Sequence, residues 1–200
     1  MNRGSEKIAI FASGNGTNAE NIIHFFMKKK SSVVLAVTDN PDAGVIKRAE
    51  RQGVKCIVCR RDEITHGTDF AKRLQDAGIS LIILAGYLGK IGKTLLSAYP
   101  RRILNIHPAL LPKYGGKGMY GHRVHEAVLR EKEDMSGITI HIIDEHYDRG
   151  EILCQAYCPV LSNDTVERLA DRIHRLEYIY YPIVIEEYID RLSISNDLEF

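Results

Sequence analysis

Two hundred residues, 44% hydrophobic and 26% charged, suffice for one well-buried domain of ordinary globular composition, and no second domain is expected. Lys and Arg total 27 against 26 Asp and Glu, so no global field favours nucleic acid or an anionic membrane, and an anionic ligand must be held locally. No apolar run approaches the roughly twenty residues of a membrane span and no charged-then-apolar leader opens the chain, so a cytoplasmic location is expected.

Short apolar runs predict strands at Ile8 to Ala12, Val33 to Thr38, Lys55 to Cys59, Leu81 to Ala85, Ile103 to Ile106, Ile138 to Ile143 and Ile152 to Val160. Between the first five lie helical patterns near Asn18 to Lys29, Ala43 to Gln52, Asp69 to Ala77 and Lys93 to Tyr99. Strands separated by helices of this length argue for right-handed βαβ units and an α/β fold: a mostly parallel, twisted, Rossmann-like sheet with helices on both faces. The last two strands are joined by only a short loop and read as an antiparallel hairpin, with Asp148 in its loop. A final helix, capped by Asp164 or Thr165, is predicted to about Tyr188, with a kink at Pro182. The tail from Ser193 to Phe200 is expected to be disordered.

The first strand runs into a glycine loop, and Gly14, Gly16 and Ala19 satisfy G-x-G-x-x-G/A before a helix. Glycines let the backbone come close to an anion, the free N–H groups and dipole of the helix start attract it, and Thr17 and Asn18 add side-chain donors. The pattern serves a dinucleotide or a single phosphate equally well. Asp39, near the end of the second strand, stands where a ribose-binding acid of an NAD-linked oxidoreductase belongs, which makes that enzyme class the main competitor.

Cys56 and Cys59 form a C-x-x-C and Cys154 and Cys158 a C-x-x-x-C. Both pairs lie in predicted strands, where residues three apart point to opposite faces, so Cys56 and Cys59 do not converge on a metal without a turn; buried free thiols are expected, and no metal.

The fifth strand carries Asn105 and His107, two apart and so on one face. An amide can donate to a developing oxyanion, an imidazole can donate or accept, and a carboxylate beside it, here Asp148, orients the ring and favours its protonated form. These are the groups an acyl-transfer site needs. They lie just past a strand end, where ligands bind in open α/β sheets, next to the irregular run Pro108 to Lys113 and the glycines Gly115, Gly116, Gly118 and Gly121.

The segment NIHPALLPKY, Asn105 to Tyr114, resembles the signature of the folate-dependent formyltransferases, in particular the branch that formylates glycinamide ribonucleotide in purine synthesis. SGNGTN at Ser13 to Asn18 is similar to that branch's phosphate loop, LAGYLGKI at Leu84 to Ile91 to its folate segment and HIIDEHYDRGEIL at His141 to Leu153 to its catalytic-carboxylate loop. Glu177 with Tyr181 and Pro182 resembles the helix that closes its ribose site. The resemblance implies a formyltransferase catalytic domain at 1–192, with a nucleotide-binding half to about 100 and a folate and catalytic half beyond it. It implies Asn105, His107 and Asp148 as the catalytic set. Gly16, Thr17, Asn18, His125 and Glu177 are implied for the ribonucleotide, and Leu88, Gly89, Lys90, Ile91, Asn105, His141, Asp144 and Glu145 for the folate.

The implied reaction is direct transfer from 10-formyltetrahydrofolate to the ribonucleotide amine. Asn105 and protonated His107 hold the oxyanion, and Asp148 assists the proton. Both substrates are small molecules; no metal, nucleic acid or membrane is required, and the chain is expected to be a monomer or homodimer. Methionyl-tRNA formyltransferases carry a further C-terminal domain and formyltetrahydrofolate hydrolases a further N-terminal one, so the length favours the ribonucleotide as acceptor. The chain departs from the family at Gly89 and Lys90, where Met and Arg are usual, at the longer insert Gly115 to Gly121, and at Arg149, where Gly is frequent. A catalytically silent folate or nucleotide sensor is the remaining reading.

Overall fold

A computed structural model of the protein describes residues 5–197. Among them seven strands, β1 (Lys7–Phe11), β2 (Ser32–Thr38), β3 (Lys55–Val58), β4 (Leu81–Leu84), β5 (Ile103–His107), β6 (Met135–Ile142) and β7 (Ile152–Pro159), form one sheet in the order β3-β2-β1-β4-β5-β6-β7. The first five pair in parallel, and β6 and β7 are added antiparallel. The helices are α1 (Thr17–Phe26), α2 (Val45–Arg51), α3 (Arg61–His66), α4 (Thr68–Asp76), α5 (Lys93–Ala98), α6 (His122–Arg130) and α7 (Val166–Asp197).

The central strands are apolar at almost every position because both of their faces are covered. Ile8 and Ile10 of β1, Leu81 and Ile83 of β4 and Leu104 and Ile106 of β5 pack under α1, α2, α6 and α7. Ala9, Phe11, Ile82, Leu84 and Ile103 point the other way, under α3, α4 and α5. Along β5, therefore, Leu104 and Ile106 belong to the first core while Asn105 and His107 share the opposite face.

Tyr181 of α7 is fully buried, and its hydroxyl lies 3.0 Å from the Leu84 carbonyl and 3.1 Å from the Leu104 carbonyl, tying α7 to β4 and β5. Pro182 does not interrupt α7. Proline has no N–H to give to the carbonyl four residues earlier, that of Tyr178, and Asn21 Nδ2 of α1 donates to that oxygen at 2.9 Å. The helix defect is thereby converted into an α1–α7 contact. Thr165 is the cap, accepting from the Arg168 N–H at 3.3 Å, while Asp164 pairs with Arg172.

Two helices, α3 and α6, were not anticipated: α3 has only six residues, and α6 follows the glycine run directly, although Val124, Ala127 and Val128 do carry helical spacing. Helix α7 continues past Tyr188 to Asp197, nine residues beyond its expected end, because Tyr188 and Ile189 still pack against the core. The expected disordered tail is thus helical over 193–197, and 198–200 lie outside the described residues. Cys56 packs on the first core and Cys59 on the second, on opposite faces of the sheet, and all four thiols are free.

Candidate functional site

The strand order reverses between β1 and β4, and the loops leaving these two neighbours open a crevice at the carboxyl ends of the strands. Gly16 sits at the start of α1 with φ 77°, and Val45 of α2 occupies the space a Cβ would need. Only glycine fits there, and the turn delivers the N-terminus of α1, with Thr17 and Asn18, to the crevice. Asn18 Nδ2 lies 3.4 Å from Glu177 Oε2 of α7, while the Asn18 Oδ1 is buried without a hydrogen-bond partner among the described residues. Burial pushes Glu177 up to about 7, partly offset by that Asn18 contact. His125 of α6 is buried and its Nδ1 has no partner among the described residues; burial, with His174 and His122 nearby, pushes its pKa down to about 4. His174, three residues before Glu177 on α7, faces the same crevice.

At the end of β5 the polar groups converge. Asn105 and His141 are direct cross-strand partners of β5 and β6, with Asn105 Nδ2 3.1 Å from His141 Nε2. His141 Nδ1 lies 3.2 Å from the Ile142 carbonyl, so in the neutral ring the proton belongs on Nδ1 and Nε2 accepts one amide hydrogen of Asn105. The second amide hydrogen of Asn105 remains for another acceptor. His107 Nε2 lies 2.7 Å from the Tyr114 carbonyl, so Nε2 carries the proton and Nδ1 turns toward Asp148 Oδ2, 3.8 Å away. Asp148 stands between the two imidazoles, its Oδ1 3.7 Å from His141 Nε2 and its Oδ2 accepting the Gly116 N–H at 2.8 Å. The Asp148 backbone is in the left-handed region, φ 53°, which aims the carboxylate inward from the β6–β7 loop.

The electrostatics weigh against one expectation. Burial depresses both His107 and His141 below the ordinary 6.5, with Asp148 acting in the opposite direction but not prevailing. Burial thus favours the neutral His107 ring, against the expected protonated one, and the carboxylate 3.8 Å away is too far to hydrogen-bond it.

Across the mouth, Leu88 and Lys90 are exposed and Ile91 is buried. The Tyr87 side chain lies where a Cβ on Gly89 would be, so a larger residue there would have to displace that ring. The Lys90 ammonium lies 5.6 Å from the Tyr147 ring centroid, and Lys93 is 3.5 Å from Glu145 Oε2, so two contacts link this segment to the β6–β7 loop. Asp144 caps that loop by accepting the His146 N–H at 2.7 Å.

Every residue implied above for catalysis, ribonucleotide or folate, from Gly16 to Glu177, lines one continuous cavity of about 880 Å³. That is room for a small molecule of drug size or larger. Asp39, the candidate ribose acid of a dinucleotide site, does not line it. Its carboxylate is 1% exposed, accepts the Ser13 hydroxyl at 2.6 Å and the Arg61 guanidinium at 2.6 Å, and does not line the cavity, so it is not placed to hold the ribose of a dinucleotide. What the sequence reading missed are His174, readable from its helical spacing to Glu177, and two backbone groups, the Tyr114 carbonyl and the Gly116 N–H, for which no side-chain pattern exists.

Residues 6–185 match the family model described as formyl transferase. A chloroplastic phosphoribosylglycinamide formyltransferase of Vigna unguiculata is 42% identical over 188 residues, covering 90% of this chain and 60% of that protein. The Arabidopsis thaliana counterpart is also 42% identical, with 64% of its length covered, so the chain spans somewhat less than two thirds of these plant relatives. The phosphoribosylglycinamide formyltransferase of Bacillus subtilis is 37% identical, with 91% of this chain and 94% of that one covered. Among solved structures, glycinamide ribonucleotide transformylase 1 from Symbiobacterium toebii superposes with a TM-score of 0.85 at 34% identity, covering 93% of this chain and 88% of the other.

Proposed function

Since the chain belongs to the formyl transferase family, we propose that it is the enzyme that moves the formyl group of 10-formyltetrahydrofolate onto the amine of glycinamide ribonucleotide, in purine synthesis. The observation that carries this reading is the convergence of Asn105, His107 and Asp148 in one cavity that is also lined by the start of α1 and by the Leu88–Ile91 segment. A phosphate-bearing acceptor at one end and a folate at the other would bring amine and formyl carbon together between them.

The ribonucleotide phosphate is read onto the N–H groups and side chains of Gly16, Thr17 and Asn18, and the ribose hydroxyls onto Glu177, with His125 alongside. The folate is read onto Leu88, Gly89, Lys90, Ile91, Asn105, His141, Asp144 and Glu145. Family membership supports a folate-type donor, and no step of the reaction calls for a metal. As the amine nitrogen bonds to the formyl carbon, the carbonyl oxygen takes up negative charge, and the free amide hydrogen of Asn105 is placed to receive it. Neutral His107 accepts the amine proton at Nδ1; the imidazolium so formed is stabilised by Asp148 and returns the proton to the folate nitrogen as its bond to the formyl carbon breaks. Asp148 thus lends charge through the imidazole.

The test is to mix purified protein with 10-formyltetrahydrofolate and glycinamide ribonucleotide and follow folate release and formylated product. Binding of both substrates without turnover would establish a silent sensor in place of the enzyme.

A further inference from the structure

Asp39, the candidate ribose-binding acid of the sequence, does not line the cavity, and its surroundings assign it other work. The Ser13 hydroxyl has a single proton, which goes to Asp39 Oδ1 at 2.6 Å; its lone pair accepts the Leu88 N–H at 3.0 Å. The donor sequence therefore runs in one direction, from the Leu88 amide through the Ser13 hydroxyl to the Asp39 carboxylate, whose other oxygen is held by Arg61 Nε at 2.7 Å. Such a chain polarises along its length and loses more than one bond when a member is removed.

The chain ties together two segments that line the cavity, the glycine turn and the stretch that starts at Leu88. Ser13 immediately precedes the glycine turn that presents Gly16, Thr17 and Asn18, and its own N–H donates to Gly86 at 3.1 Å while its carbonyl accepts Asn40 Nδ2 at 3.3 Å. Leu88 begins the second segment, and with the residue 54% exposed, packing does little to hold that segment in place. Helix α3 bridges the same parts a second time: it starts at Arg61, and one turn later Thr65 Oγ1 lies 3.0 Å from the Lys90 carbonyl.

We propose that Asp39 is a positioning residue which, through Ser13, couples the phosphate loop to the Leu88–Ile91 segment, so that filling either substrate subsite tightens the other. The proposal rests on the formyl-transfer reading above for the identity of the two ligands. A ligand phosphate that draws the Gly14–Asn18 turn into one conformation also fixes Ser13, and Ser13 fixes the Leu88 amide. The entropy of ordering the second loop is then spent once for both ligands.

Calorimetry of glycinamide ribonucleotide binding, with and without saturating tetrahydrofolate, which has no formyl group to transfer, measures the coupling directly. In the unaltered protein tetrahydrofolate should tighten the ribonucleotide on the order of fivefold or more, within the usual range of coupling between sites. In Ser13→Ala and in Asp39→Asn the factor should fall below about two, while the ribonucleotide alone still binds. If Asp39→Asn does not fold, Ser13→Ala alone decides. A purely structural role would weaken both ligands and leave the factor intact, so an unchanged factor in Ser13→Ala, or a factor of one in the unaltered protein, overturns the proposal. If the unaltered protein fails to bind the ribonucleotide at all, the formyl-transfer reading itself falls, a result distinct from ligands that bind but ignore each other.

Discussion

Asn105 and His141 face each other across β5 and β6 with Nδ2 and Nε2 3.1 Å apart, and the bond from His141 Nδ1 to the Ile142 carbonyl decides which of them donates. The histidine is thereby an acceptor that holds the Asn105 amide in one orientation, leaving the other amide hydrogen directed at the cavity. A preorganised donor of this kind does not have to reorganise when charge develops on a substrate oxygen.

Asn105→Ala should lower kcat by on the order of a hundredfold, the usual consequence of losing one preorganised oxyanion donor. The Kd for glycinamide ribonucleotide should change little, because Asn105 is assigned to the reacting oxygen and not to the phosphate or ribose. Steady-state kinetics paired with calorimetry checks both halves; near-normal turnover would remove Asn105 from the mechanism.

The pH profile follows from the burial of His107. Its pKa lies below 6.5, with burial lowering it and Asp148 raising it in part. If the neutral ring is the proton acceptor, kcat/KM should fall on the acid side with a midpoint below 6.5. Asp148→Asn removes the influence that raises the pKa, so that midpoint should move further down while the maximum rate collapses. A midpoint that moves up in Asp148→Asn would contradict the arrangement.

Glu177 makes a prediction about stability. Its folded pKa is raised from 4.5 to about 7, chiefly by burial. A carboxyl raised in this way contributes stability that is fully present below about 4.5 and is lost as pH rises through about 7. Glu177→Gln, which cannot ionise, should match the unaltered protein near pH 4 and exceed it by up to about 3 kcal/mol near pH 8. Urea denaturation at the two pH values measures the gap; a gap of the same size at both would show that Glu177 does not titrate in this window.

The contact between Asn21 and the Tyr178 carbonyl lends itself to a double-mutant cycle. Asn21→Ala should cost about 1 to 2 kcal/mol, since it leaves a carbonyl that the proline has already deprived of its helical partner. In a Pro182→Ala background the new N–H can satisfy that carbonyl, and the cost of Asn21→Ala should shrink. Equal costs in both backgrounds would show that the carbonyl is not what Asn21 stabilises.

Much was legible in the order of residues. Local patterning located all seven strands, because β1 and β4 are apolar on both faces, the Ile103 to Ile106 run of β5 is broken only by Asn105, and β6 and β7 are too close together for anything but a hairpin. It identified the glycine loop from the spacing of Gly14, Gly16 and Ala19 between a strand and a helix, and the positive φ of Gly16 against Val45 bears out the need for glycine there. It also placed Asn105 and His107 on one face, because a strand alternates with period two. What only the tertiary structure decided are the relations between segments distant in sequence: His141 opposite Asn105, Asp148 between two imidazoles, Glu177 beside Asn18. Asp39 shows the reason most clearly. Its position after β2 is compatible with holding a ribose, and nothing nearby in the chain signals that Arg61 and Ser13 enclose it. The charge state of His107 meets the same limit: a sequence names the carboxylate that could protonate an imidazole, whereas the burial that opposes it exists only once the chain has folded around the ring.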